Sequence, residues 1–232
     1  MKVHNILLVF SLFTFVSCSK DNSDESATEC KDLEGYEYKT IKIGNQVWMA
    51  ENLRVTKFRN GDLIPNVTSD GSWENAITPA YCNYDNDIAK GNIYGKIYNW
   101  YALMDSRGLA PKGWHIPSKA EYETLINFIG GKDIAGSKLK EIGTEHWNYN
   151  VDATNQSGFS ALGGGGRWKE TTSVRFWWIK EAAIFWTKSE GKEDENDEYG
   201  PIYFSLSYDY SGIGFSSWTP ETMGYYIRCV KD

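Results

Sequence analysis

The chain has 232 residues, 41% of them apolar, which is enough for one core-bearing domain of ordinary size. Lys and Arg number 24 against 31 Asp and Glu, a formal net charge of −7, and no segment gathers basic residues. That sets aside a nucleic-acid binder, whose affinity depends on clustered cations against phosphates. With 10 Trp, 15 Tyr, 10 Phe and 22 Gly but 6 Pro, the composition suits a loop-rich α+β fold better than a helical bundle.

Lys2 and the apolar run Ile6 to Val16 read as the n- and h-regions of a secretory signal, the run being too short for a membrane-spanning helix of roughly 20 residues. The following Phe15-Val16-Ser17-Cys18 resembles a bacterial lipobox. A small residue such as Ser17 fits the signal peptidase, and the Cys18 thiol is the only nucleophile there that can take a diacylglyceryl thioether. Residues 1–17 are thus expected to be a lipoprotein signal peptide, cleaved between Ser17 and Cys18, with acyl chains on Cys18 giving a stable anchor. The segment from Ser19 to Glu25 resembles the Lys-plus-acid signal of surface-exported lipoproteins, interrupted by Asn22. Residues 18–29 read as a flexible tether reaching roughly 20 Å. The expected location is the outer membrane, lipid-anchored and facing the cell surface.

Residues 30–232 contain no Pro- or Ser-rich linker and read as one domain. Tyr36 to Ile43 alternates, Gly44-Asn45 supplies a turn and Val47-Trp48-Met49 returns, which is a hairpin signature. Residues 60–92 read as long loops. Ile97, Trp100, Tyr101 and Met104 fall at helical spacing, predicting a helix within Tyr94–Met104. Ser118 and Glu121 form a capping box after Pro117, opening a helix from Lys119 to about Ile129 that Gly130-Gly131 ends, and a short helix around Ile134–Glu141 follows. Short aromatic runs at Phe176–Trp178, Ile184–Thr187, Tyr203–Tyr210 and Tyr225–Val230 read as antiparallel strands. Helices early and strands late predict an α+β fold.

Catalytic constellations are absent from the pattern. There is no G-x-S-x-G, and Gly163–Gly166 followed by Arg167-Trp168 reads as an extended turn and not a dinucleotide loop. His115 and His146 each adjoin a Trp, without ligand-spaced partners, and read as packed or hydrogen-bonded. Asp85-Asn86-Asp87 and the acidic run Glu193–Glu198 offer oxygen ligands of the Ca²⁺ type but lack EF-hand spacing, so they read as solvated loops and no cofactor or metal is expected. Cys30, Cys82 and Cys229 leave one disulfide plus one odd thiol in an oxidising compartment. Most aromatics are expected in the core; Trp73, Tyr208, Tyr210 and Trp218, in polar contexts, are the candidates for an exposed ligand-binding platform.

The segments Tyr38–Leu53, Tyr94–Ala102, Pro111–Tyr122, Thr154–Leu162, Trp186–Glu190 and Tyr226–Asp232 together resemble the Fibrobacter succinogenes major paralogous domain family over about residues 30–232. Gly163–Arg167 departs from the family's usual turn. The family looks like a distant relative of C-type-lectin-like and formylglycine-generating-enzyme folds, which implies a C-type-lectin-like α+β domain with neighbouring N- and C-terminal strands. On that architecture Cys229 pairs with Cys30, the alternative being Cys82. The cysteine pair needed for formylglycine-type oxidation is missing. The resemblance carries no established activity; it implies a non-enzymatic binding or adhesion module, with a glycan or envelope protein as partner. A structural or assembly component of the cell envelope is the alternative, and an enzyme of unknown type the third.

Overall fold

The computed structural model describes residues 29–150, 152–170, 173–193, 195–196, 198–217 and 220–232. Cys18, Ser17, the signal peptide, nearly all of the tether and Trp218 lie outside the described residues. The elements are β1 (Thr40–Ile43), β2 (Gln46–Met49), α1 (Asp70–Glu74), β3 (Tyr81–Cys82), α2 (Ile88–Tyr94), β4 (Ile97–Asn99), α3 (Trp100–Met104) and β5 (Trp114–His115). After them come α4 (Lys119–Phe128), α5 (Lys132–Leu139), β6 (Gly164–Glu170), β7 (Ser173–Ile179), β8 (Ala182–Gly191) and β9 (Gly200–Ser207). The chain closes with β10 (Gly214–Ser216), β11 (Gly224–Tyr225) and β12 (Val230–Lys231).

Strand outweighs helix, 31% against 19% of the described residues, so the fold is mostly β and the expected α+β, C-type-lectin-like architecture does not hold. A four-stranded sheet has the order β1-β2-β12-β5; a larger one has β10-β9-β8-β6-β11-β4-β3, with β7 added to β6. Of the two early helices, the one expected over Tyr94–Met104 is a strand followed by a single short helix. Tyr98 pairs with Tyr81 and Tyr225, and its hydroxyl donates to the Val55 carbonyl (2.7 Å), so sheet pairing overrides the helical spacing. Asn99 then caps α3 through Ala102 N. Residues 60–92, expected as loops, carry the short helices α1 and α2 and strand β3.

Local signals are otherwise followed closely. The β1–β2 hairpin turns at Gly44-Asn45 with Ile43 opposite Gln46. Ser118 Oγ accepts from Glu121 N (3.3 Å) while the Ser118 amide donates to Glu121 Oε2 (2.8 Å), so the capping box is complete. Replacing Ser118 with Ala should therefore cost about 0.5–2 kcal/mol, read as a lower melting temperature. Strand β12 lies between β2 and β5, with Val230 opposite both Trp48 and His115, so the N- and C-terminal strands do adjoin.

Of Gly163–Gly166, expected as a turn, Gly164, Gly165 and Gly166 begin the interior strand β6. A Cβ on Gly164 would lie 2.6 Å from the Tyr226 ring, and one on Gly166 2.8 Å from the Gly224 carbonyl oxygen. The glycines are there because neighbouring strands press close against β6. Beside it, β8 alternates between two apolar clusters. Ala183 and Phe185 join Tyr122, Leu125 and Phe159, whereas Ile184 and Trp186 join Trp100 and Tyr225.

Among the described residues three cations are buried in this frame: Lys140, Arg167 and Arg228. Arg228 donates through Nε to Asn52 Oδ1 (2.9 Å), through Nη2 to the Ser160 carbonyl (2.9 Å) and through Nη1 to that of Phe159, with its guanidinium 4.2 Å from the Phe159 ring centroid. Arg167 sits between the rings of Trp73 and Phe176, 4.7 Å from each, and pairs with Asp70 at 2.7 Å. Lys140 donates to the carbonyls of Ser207 (3.0 Å) and Tyr210 (3.1 Å).

Candidate functional site

The site begins at a distortion where β6 meets β7. Gly166 pairs with Trp177 and Gly164 with Ile179; between them Gly165 and Trp178 both adopt positive φ, +65° and +59°. For a tryptophan that conformation costs roughly 1–2 kcal/mol, and such strain persists where the surroundings enforce it. The effect is to put consecutive residues on one side. In a regular strand Trp177 and Trp178 would face opposite ways. Here Trp177 stacks on Trp168 (6.1 Å) and Trp178 meets the same ring edge-on (4.7 Å). Trp178 stays 49% exposed. The ring contacts run inward from Trp168 to Tyr225 (6.1 Å), both buried, and back out to the half-buried Tyr203 (5.0 Å).

Beside these rings a trough of about 300 Å³ runs over β8 and β9. Trp178, Tyr203 and Tyr208 wall it, Ala182, Ser205 and Ser207 form part of its lining, and Glu181 sits at the β7–β8 turn. The period-two alternation of β9 produces this lining: Ile202, Phe204 and Leu206 are buried, whereas Tyr203, Ser205 and Ser207 are half-buried on the other face. The loop carrying Tyr208 is held from several directions. Tyr208 N donates to the Glu181 carbonyl (2.8 Å), Ser137 N to that of Ser211 (2.8 Å) and Ile213 N to that of Lys132 (3.0 Å). The buried Lys140 straps Ser207 and Tyr210 from behind. Burial pushes its pKa down, against the pull of Asp209 and Asp152. Trp168 also lines a wider depression of about 630 Å³, whose lining includes Tyr199, Met223 and the residues Glu170, Glu198 and Glu221.

Of the aromatics singled out by sequence, Tyr208 belongs to the trough and Tyr210 is 52% exposed on the next turn of the same loop. Trp73 is not exposed but 1% accessible, covered by the Arg167 guanidinium. Its polar neighbours in sequence are N-cap and first-turn residues of α1, not signs of exposure. Trp178, Tyr203 and Glu181 were missed. The available signal was Phe176-Trp177-Trp178 in one strand, more consecutive rings than one buried face takes.

The other candidates are structural. Cys30, Cys82 and Cys229 are buried free thiols, so the expected disulfide is not formed; Cys30 and Cys229 share one apolar cluster, while Cys82 lies in the other. Burial pushes the Cys30 and Cys82 thiols up to about 12. Asp85 pairs with Lys90, Asp87 caps α2 and Glu193 pairs with Lys119 (3.0 Å). Among the described residues no group of three His, Cys, Asp or Glu side chains is placed to hold a metal ion. His146 bonds Glu141 at 2.7 Å.

His115 bridges β5, α4 and the residue after β12, with Nε2 2.7 Å from Glu121 Oε1 and Nδ1 2.7 Å from Asp232 Oδ1. Burial opposes its protonation, but the bonds to Glu121 and Asp232 prevail and raise its pKa above 6.5. Burial likewise opposes ionisation of Glu121, yet the Ser118 amide and His115 hold its pKa below 4.5. Stabilisation by the raised His is complete below its unfolded pKa and fades as pH rises through the folded one; that of the lowered Glu is present above its unfolded pKa and fades in acid. His115→Gln should thus lose most stability between about pH 4.5 and 6.5 and least in alkali, by no more than about 1 kcal/mol because the site is half open to solvent. Melting curves across pH check this.

The site is thus a shallow trough on a mostly β domain of two sheets, edged by the half-exposed Trp178. Residues 41–231 match the Fibrobacter succinogenes major domain, and the chain belongs to that family. No curated protein and no solved structure matches it. Among the described residues no helix is long and apolar enough to cross a membrane.

Proposed function

We propose that the protein is a lipid-anchored outer-membrane protein of the cell surface, a non-enzymatic binding or adhesion module that takes glycan at the half-exposed Trp178. Trp178 carries this reading: a large ring held half exposed by a strained backbone is a costly arrangement for a residue whose only role is packing. The lipobox at Ser17-Cys18 supports the anchor. Fatty-acid labelling of wild type against Cys18→Ala tests it, and an unlabelled wild type would overturn it.

A glycan array with the full-length protein in detergent tests the binding role. Binding to at least one sugar family, weakened in Trp178→Ala, is the expected result. Exposed Ile77, Ile88, Leu63 and Ile142 favour a second reading, a structural or assembly component of the envelope with a protein partner. No sugar binding, together with capture of a single envelope protein, would establish that alternative.

A further inference from the structure

Resting on the glycan reading above, we infer that the trough between Trp178 and Tyr208 is a subsite for a neutral pyranose unit and turns acidic sugars away. The juxtaposition of walls, floor and charge supports this. Trp178, Tyr203 and Tyr208 offer apolar ring surface to the C–H faces of a sugar, while the Ser205 and Ser207 hydroxyls and the Glu181 carboxylate present hydrogen-bonding groups to its hydroxyls. The short side chains of Ala182, Ser205 and Ser207 let a flat ring settle close to the sheet. At about 300 Å³ the trough lies at the small end of ligand pockets (~300–1,000 Å³), which suits one or two sugar rings and not a long segment.

Charge gives the specificity. Among the described residues lining the trough the only ionisable carboxylate is Glu181, and no Lys or Arg is present. A second carboxylate, Asp209, adjoins the rim and accepts from Ser207 Oγ (2.5 Å). The Lys140 ammonium lies buried behind Ser207 and is engaged by the Ser207 and Tyr210 carbonyls, so an incoming uronate, sulfate or phosphate would meet like charge with no cation in the lining to pair it, which discriminates strongly when water is displaced. The walls are also fixed in advance. Lys140, α5 and the Glu181 carbonyl hold the Tyr208 loop, and the β6–β7 distortion holds Trp178, so little ordering remains for a ligand to impose.

The experiment is a titration of the full-length protein in detergent micelles with neutral polymers (mannan, β-glucan), an amine-bearing one (chitosan oligomers) and acidic ones (alginate, hyaluronan, heparin). At least one neutral polymer should bind at least tenfold more tightly than any acidic one. Trp178→Ala and Tyr208→Ala should each weaken neutral binding at least tenfold, and Glu181→Gln should narrow the gap to the acidic set. Chitosan binding at least as tight as that of alginate agrees with the charge assignment. Acidic polymers bound as tightly as neutral ones by the wild type would overturn this inference while leaving the glycan reading intact. So would neutral binding unmoved by both aromatic variants, which would place the sugar elsewhere. Binding to no polymer at all would overturn both. Melting temperatures of the variants confirm folding, and if Trp178→Ala does not fold, Tyr208→Ala and Glu181→Gln decide the outcome.

Discussion

Replacing Arg228 with Ala should destabilise the domain by about 4 kcal/mol or more, a large part of the ~5–15 kcal/mol that holds an ordinary domain together. The side chain is 1% exposed, and among the described residues no carboxylate pairs with it. Its three donors satisfy Asn52 Oδ1 and the carbonyls of Phe159 and Ser160, and its guanidinium fills space over the Phe159 and Phe185 rings. Alanine leaves those acceptors buried and bare, at roughly 1–3 kcal/mol apiece, and opens a cavity between the rings. Burial draws the Arg228 pKa down to about 9, so the group remains cationic at neutral pH and the carbonyl dipoles are its counter-charge. Arg228→Met, which keeps most of the volume but loses the donors and the charge over the two rings, should fall between wild type and Ala. Urea denaturation ranks the three. An Ala variant that unfolds at the wild-type midpoint would show that water replaces the guanidinium at no cost.

Gly165→Ala should be nearly as damaging and should also abolish the glycan binding proposed for the trough beside Trp178. The added Cβ would stand 2.0 Å from the Trp177 carbonyl oxygen, a backbone atom with nowhere to go, in a φ of +65° that alanine rarely adopts. The strand has to shift, and the shift moves Trp178, whose own φ of +59° faces this position. The expected loss is roughly 3 kcal/mol, combining overpacking with the left-handed penalty. Gly191→Ala is the control. Its Cβ would meet only Ile202 at 3.4 Å with no left-handed constraint, so it should melt within about 1 kcal/mol of wild type. Equal melting temperatures for the two variants would refute the account of the β6–β7 distortion.

What the sequence disclosed is what neighbours along the chain decide. The Gly44-Asn45 hairpin and the Ser118–Glu121 box need only a turn and a cap, and both occur where expected. Residues 97–104 went astray because Tyr98 is claimed by β3 and β11, partners 17 and 127 positions away in a register that no local period reveals. Gly163–Gly166 resembles a turn in isolation; only the proximity of Tyr226 and Gly224 explains why side chains are missing there. The trough was half legible. Tyr208 stood out in a polar context, but its walls come from β7, β9 and the loop beyond, and the exposure of Trp178 depends on a backbone angle that composition does not encode.

The placement of β12 between β2 and β5 has a kinetic consequence. Trp48 and Val230 are partners across most of the domain, so the four-stranded sheet has no middle until residue 230 is delivered. Pairings so distant close slowly, because the loop entropy is lost before the contact rewards it; domains dominated by them fold in roughly milliseconds to seconds. A chain emerging from synthesis N-terminus first carries the β1–β2 hairpin without its β12 partner until the last residues appear. The same arrangement that seals the native sheet thus withholds its central pairing from a chain made from the N-terminus until nearly all of it has been synthesised.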